Sequence, residues 1–94
     1  NEALKEIEKG RDLYQALVEE YPAIPTYRRE LGLIQNNLGV LQIDQELFEK
    51  ALEYFELGRA QRQKLVDRYP DRPSYRNDLA VSYNNIAIAL EGLT

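Results

Sequence analysis

Ninety-four residues, 44% hydrophobic and 30% charged, suit one small folded domain and exclude a disordered tract. The net charge of −4 arises within residues 1–48, nine acids against five bases, and lacks the basic excess that phosphate contacts with nucleic acid normally demand. With no Cys and no apolar run near the ~20 residues of a bilayer span, no disulfide framework, thiolate metal site or membrane contact by this segment is expected. The chain opens at Asn1 without Met or a signal-like stretch, so it is expected to be a piece of a longer protein.

Four helices are predicted, over about 2–21, 26–43, 45–69 and 74–91. In the first, Leu4, Ile7, Arg11, Tyr14, Leu17 and Tyr21 recur at three- and four-residue steps, one face of an α-helix. Tyr21-Pro22-Ala23-Ile24-Pro25 ends it, because proline lacks the N–H and restricts the residue before it. Thr26 then stands where an N-cap oxygen would accept an orphan N–H. The second helix places Tyr27, Leu31, Ile34, Leu38 and Leu41 on one face, and Leu33 and Val40 widen the apolar arc. A wide arc implies cover on two sides.

The joint at Ile43-Asp44-Gln45-Glu46 holds no Gly or Pro and is weakly encoded, with Asp44 as its one capping residue. The third helix carries Phe48, Ala51, Phe55, Arg59, Arg62, Leu65 and Tyr69, the arginine stems lying along apolar surface with their heads in water. A second corner, Tyr69-Pro70-Asp71-Arg72-Pro73, precedes Ser74 as the matching N-cap. The fourth helix carries Tyr75, Leu79, Tyr83, Ile86 and Leu90. The tyrosines bracketing both corners are expected to cover the prolines and donate a hydroxyl bond to the backbone.

Residues 1–46 and 49–94 are two copies of one pattern at an offset of 48, with 16 of 46 aligned pairs identical. Such self-similarity marks a stacked array whose units bury their apolar faces against neighbours. Its function is expected to lie in a repeated surface rather than a reaction pocket.

Asn37-Leu38-Gly39, followed by Ala51, Phe55 and Gly58, resembles the tetratricopeptide repeat. The spacing suits close helix crossing: Gly39, Ala51 and Gly58 remove bulk, and Leu38 and Phe55 fill the space beside them. Ala3, Ile7 and Gly10 match a second helix of that repeat, and Ile86 with Ala87 match the start of the next first helix. The resemblance covers nearly the whole chain, one complete repeat flanked by two halves. It implies an all-α fold, antiparallel helix pairs stacked as a right-handed superhelix. Two departures stand out. The period is 48 residues rather than about 34, and Glu46 occupies the place of the family's turn glycine. The long form, Tyr-Pro-x-x-Pro-x-Tyr-Arg-x-x-Leu with Asn-Asn-Leu-Gly, is similar to arrays found beyond the kinase domain of large bacterial serine/threonine protein kinases.

In tetratricopeptide arrays the first helices line a concave groove for an extended peptide or a partner helix. Carried onto this chain, the resemblance implies Arg29, Leu33, Asn36, Asn37 and Val40 on helix two, and Asn77, Val81, Asn84, Asn85 and Ile88 on helix four. The three- and four-residue steps put each set on one side of its helix. Carboxamides offer donor and acceptor to a bound backbone, and the aliphatic residues offer shallow apolar contacts. The competing expectation is that one Asn of each pair bonds to a neighbouring helix and holds register. A clamp for a C-terminal carboxylate is not expected, since only Arg29, with Arg28 and Arg76 nearby, supplies cations there. The basic run Arg59, Arg62, Lys64, Arg68, Arg72 and Arg76 reads as a solvated face with partners such as Glu56 and Asp67, or else as a contact for an acidic partner.

No catalytic role is expected. The chain lacks His and Cys, Ser74 and Ser82 have no evident activating base, and there is no Gly-rich phosphate loop. No cofactor or metal is implied. The leading expectation is a scaffold that binds a protein or peptide. Self-association is the alternative, through uncapped terminal faces or through helices two and three fused into one rod that swaps between chains. A passive spacer between domains is the third.

Overall fold

The computed structural model describes residues 2–94, which are all-α: α1 (Glu2–Glu20), α2 (Pro25–Asp44), α3 (Phe48–Arg68) and α4 (Pro73–Gly92). No described residue is in a strand.

Both proline corners fold alike, 48 residues apart. Tyr21 N–H bonds Leu17 O and Ile24 N–H bonds Tyr21 O; Tyr69 and Arg72 donate to Leu65 and Tyr69 in the same way. Pro25 and Pro73 open their helices, where a missing N–H costs nothing and the fixed φ suits the first turn. The N-caps are therefore Ile24 and Arg72, extended residues without a side-chain cap bond, not the expected Thr26 and Ser74. Proline's preset backbone moves each helix start one residue earlier. The corner tyrosines pair ring against ring, Tyr21 with Tyr27 at 6.1 Å and Tyr69 with Tyr75 at 5.9 Å. The hydroxyl bonds to backbone expected of them are not made among the described residues.

The joint between α2 and α3 is a closed turn, so these are two helices and not one rod. Glu46 N–H bonds Ile43 O at 2.9 Å and Leu47 N–H bonds Gln42 O at 2.9 Å, the paired bonds of a Schellman motif. Such a motif needs a left-handed residue at its bend, and Glu46 supplies it with φ 60°. Asp44 is the last residue of α2, not a cap; Leu47 precedes α3 and makes no side-chain cap bond. Glycine occupies the left-handed region without the steric cost of a Cβ. Glu46→Gly should therefore raise stability by about 0.5–1 kcal/mol, a shift of several degrees in melting temperature for a domain of this size. A melt by circular dichroism that is unchanged or lower would remove this account of the turn.

Small residues let α2 and α3 cross closely. A Cβ on Gly58 would lie 3.1 Å from Gly32 O and 3.4 Å from Asn36 N, so backbone here meets backbone. At Gly39 a Cβ would lie 2.5 Å from the Phe55 ring, which is 1% exposed. Phe55 joins Ala51, Ile86 and Ala89 in one buried cluster that ties α3 to α4, with Ile43 and Leu52 against it. Leu31 and Leu38 are fully buried on α2. α1 packs on α2 from the other side. α2 also approaches α4, whereas the backbones of α1 and α3 stay apart, so the stack closes along α2 and α4.

Candidate partner-binding face of α2 and α4

α2 and α4 run parallel and in register. Arg29 Nε donates to Asp78 Oδ2 at 3.5 Å, and Asn85 Nδ2 donates to Asn36 Oδ1 at 2.8 Å. Both links join positions 49 apart, and the two lie seven residues from each other on each helix. Seven residues are about two turns, so one stripe of each helix faces the other.

Beside this seam lie four aliphatic side chains left open to solvent: Leu33 at 44%, Val40 at 41%, Val81 at 48% and Ile88 at 43% exposed. Asn37, Asn77 and Asn84 are exposed as well. Asn36 is buried and Asn85 half-buried, and they spend their amides on each other. Register between helices is thus held by one Asn from each pair, though not by equivalent ones, since Asn36 corresponds to Asn84 in the repeat. Arg29 is exposed and engaged with Asp78 in a solvent-open pair of small energetic weight. A shallow depression of about 160 Å³ lies between the helices, lined by Arg29, Glu30, Leu33, Arg62 and Asp78.

Arg62 departs most from expectation. Its head is not in water: the residue is 5% exposed, and Nη1 donates to Ser82 Oγ at 2.9 Å and to Asp78 O at 3.1 Å. Burial pushes its pKa below the ordinary value; Asp78 opposes that shift and Arg29 adds to it. The guanidinium thus braces α4 from beneath the seam. A signal was present in the repeat, where Arg62 and Ser82 replace Tyr14 and Ile34, two polar residues for two apolar ones.

The basic run does not form one field. Arg59 pairs with Glu56 at 3.3 Å, whereas Asp67 accepts from Gln63 rather than from a cation. Arg68 and Arg72 lie over the Tyr69 ring at 5.6 and 5.8 Å, and Arg76 donates to Pro70 O at 3.4 Å. These cations mainly reinforce the second proline corner.

No described helix is long and apolar enough to cross a membrane. Compared with protein-family models, curated proteins and solved structures, the chain matches none.

Proposed function

We propose that the chain is a segment of a tetratricopeptide-like array that binds an extended peptide or a helix of a partner protein on the α2/α4 face. The observation that carries this reading is the set of four open aliphatic residues on two parallel helices already locked in register. A preorganised surface loses little entropy when a ligand settles on it. Leu33, Val40, Val81 and Ile88 would take apolar side chains, and Asn37, Asn77 and Asn84 would meet the ligand backbone. The backbone-to-backbone crossing at Gly32 and Gly58 supports the array assignment. The likeness of the long repeat to kinase-associated arrays fits a role in holding a partner near a catalytic domain.

The test is a titration of isotope-labelled protein with a panel of extended apolar peptides and amphipathic helical peptides, read by amide chemical shifts. Shifts should concentrate at residues flanking Leu33, Val40, Val81 and Ile88. Leu33→Asp with Val81→Asp should weaken the best ligand at least about tenfold, roughly 1.4 kcal/mol. Both positions are open, so the fold should survive. Undiminished binding by the double variant, or shifts confined to α1 and α3, would defeat the proposal.

A further inference from the structure

The face by which α2 packs on α3 is present a second time, uncovered, on α4. On α2 that face includes Gly32, Gln35, Gly39 and Gln42, all buried. Their counterparts 48 residues on are Ala80, Tyr83, Ala87 and Leu90, all exposed. The surface of α3 that receives α2 likewise has its counterpart on α1, where Gly10 and Leu13 stand for Gly58 and Gln61. Leu13 is 68% exposed.

The uncovered faces are more apolar than the covered one. Inside the chain the contact includes Gln35, Gln42 and Gln61, and the Oε1 atoms of Gln35 and Gln42 are buried without a hydrogen-bond partner. On the open faces these positions are Tyr83, Leu90 and Leu13. Large apolar residues left in water where the equivalent buried sites are polar mark these faces as interaction surfaces. Volumes match too. Gly39 against Phe55 becomes Ala87 against Ile7, one side gaining a methyl where the other loses a ring.

Gly10 adds an independent argument. A Cβ there would make an ordinary contact, 3.6 Å from Ile34 Cδ1, so nothing within this chain requires glycine in mid-helix. Glycine is nevertheless an unfavourable helix residue. Its counterpart Gly58 shows what the position serves, a direct approach of helix backbones.

Register supplies a third. The in-chain links of α2 to α4 join positions 49 apart, whereas the repeat is 48. A copy stacked by the same rule therefore sets residue i+48 of one chain against residue i+1 of the next. That places Asn84 against Asn37 and Asn77 against Glu30. Asn37 and Asn84 make no side-chain hydrogen bond among the described residues. Each Asn-Asn pair would then serve two boundaries, one amide inside the chain and one between chains.

We infer that a second copy of this chain docks its α1 on the open face of α4, head to tail, continuing the stack. The contact joins different surfaces and does not close on itself, so it propagates. It leaves Leu33, Val40, Val81 and Ile88 open but draws on Asn37, Asn77 and Asn84, which the peptide reading also uses. Because that reading is carried by the four aliphatic residues, loss of the contact between copies and loss of peptide binding remain distinguishable.

Sedimentation of the chain from about 10 μM to about 1 mM should show an open series of species growing with concentration. Leu13→Arg blocks α1 and Ala87→Arg blocks α4; each variant alone should be monomeric, with unchanged helicity and melting temperature. Mixed one to one, they should form a heterodimer and nothing larger, because each retains the face the other has lost. Asn37→Leu should weaken wild-type association severalfold. A wild-type chain that stays monomeric at about 1 mM overturns the inference. So does a dimer indifferent to both substitutions, or variants that fail to associate when mixed while the wild type assembles.

Discussion

Phe55→Ala should cost about 3–5 kcal/mol, a large share of the roughly 5–15 kcal/mol that stabilises a small domain. The ring is 1% exposed and sits among Ala51, Ile86 and Ala89. Two of those neighbours are alanines, whose single methyl groups cannot reach into a cavity, so the truncated site collapses poorly. Gly39→Ala probes the same contact from the other side. Alanine favours the helix by about 1 kcal/mol, yet its Cβ would stand 2.5 Å from the Phe55 ring. Overpacking of about 1–3 kcal/mol should outweigh the gain, because the ring has nowhere to move. Combining Gly39→Ala with Phe55→Ile installs the residues found at the equivalent positions 87 and 7, and the double variant should lose less stability than the sum of the two single changes. Urea denaturation of the wild type, Gly39→Ala, Phe55→Ile and the double variant measures this directly. Strict additivity, or a loss under about 1 kcal/mol for Phe55→Ala, would mean the crossing is not where the core is held.

The second large effect belongs to Arg62. Ser82→Ile removes one of the two acceptors of its Nη1, leaving Asp78 O, and pushes a bulkier side chain into a site that is 1% exposed. A buried charge deprived of a partner typically costs about 1–3 kcal/mol, with overpacking on top. Arg62→Tyr alone should also destabilise, since Ser82 Oγ then loses its donor. The double variant Arg62→Tyr with Ser82→Ile installs the residues that the first copy carries at 14 and 34. Removing the buried charge together with its polar partner leaves neither unpaired, although Tyr and Ile together are bulkier than Arg and Ser. The double variant should therefore lose less stability than the sum of the two single changes. A double variant as unstable as the sum of the singles would show that Arg62 does more than brace α4.

Much of the fold was legible locally. Helical period placed four helices within a few residues of their observed ends, and the two corners followed from proline chemistry. A close crossing at Gly39, Ala51 and Gly58, with Leu38 and Phe55 beside them, was expected from the tetratricopeptide resemblance; that Gly39 meets the Phe55 ring and Gly58 the Gly32 backbone emerges only from the packing. The turn at Ile43–Glu46 was obscure for a specific reason: a Schellman motif there rests on backbone bonds and a left-handed Glu46. Nothing in the residue type declares it.

The candidate site divides the same way. Leu33, Val40, Val81 and Ile88, which the tetratricopeptide resemblance implies for one face, are exposed. Which asparagines stay free does not follow from spacing, since Asn36 and Asn37 are adjacent and chemically identical. Only the approach of α4 separates them.

By itself the sequence determined the all-α class, the four helices, the corners and the 48-residue period, since each depends on neighbours within a few residues along the chain. Tertiary structure alone decided the burial of Arg62, the bond between Asn36 and Asn85 and the left-handed turn at Glu46. The partners of those side chains, the Asp78 carbonyl, Ser82 and Asn85, lie 16, 20 and 49 residues away. The bend at Glu46 is held by backbone bonds to Ile43 and Gln42 rather than by any side-chain cap. Where a polar side chain finds its partner depends on which helices meet, and that is settled only when they pack.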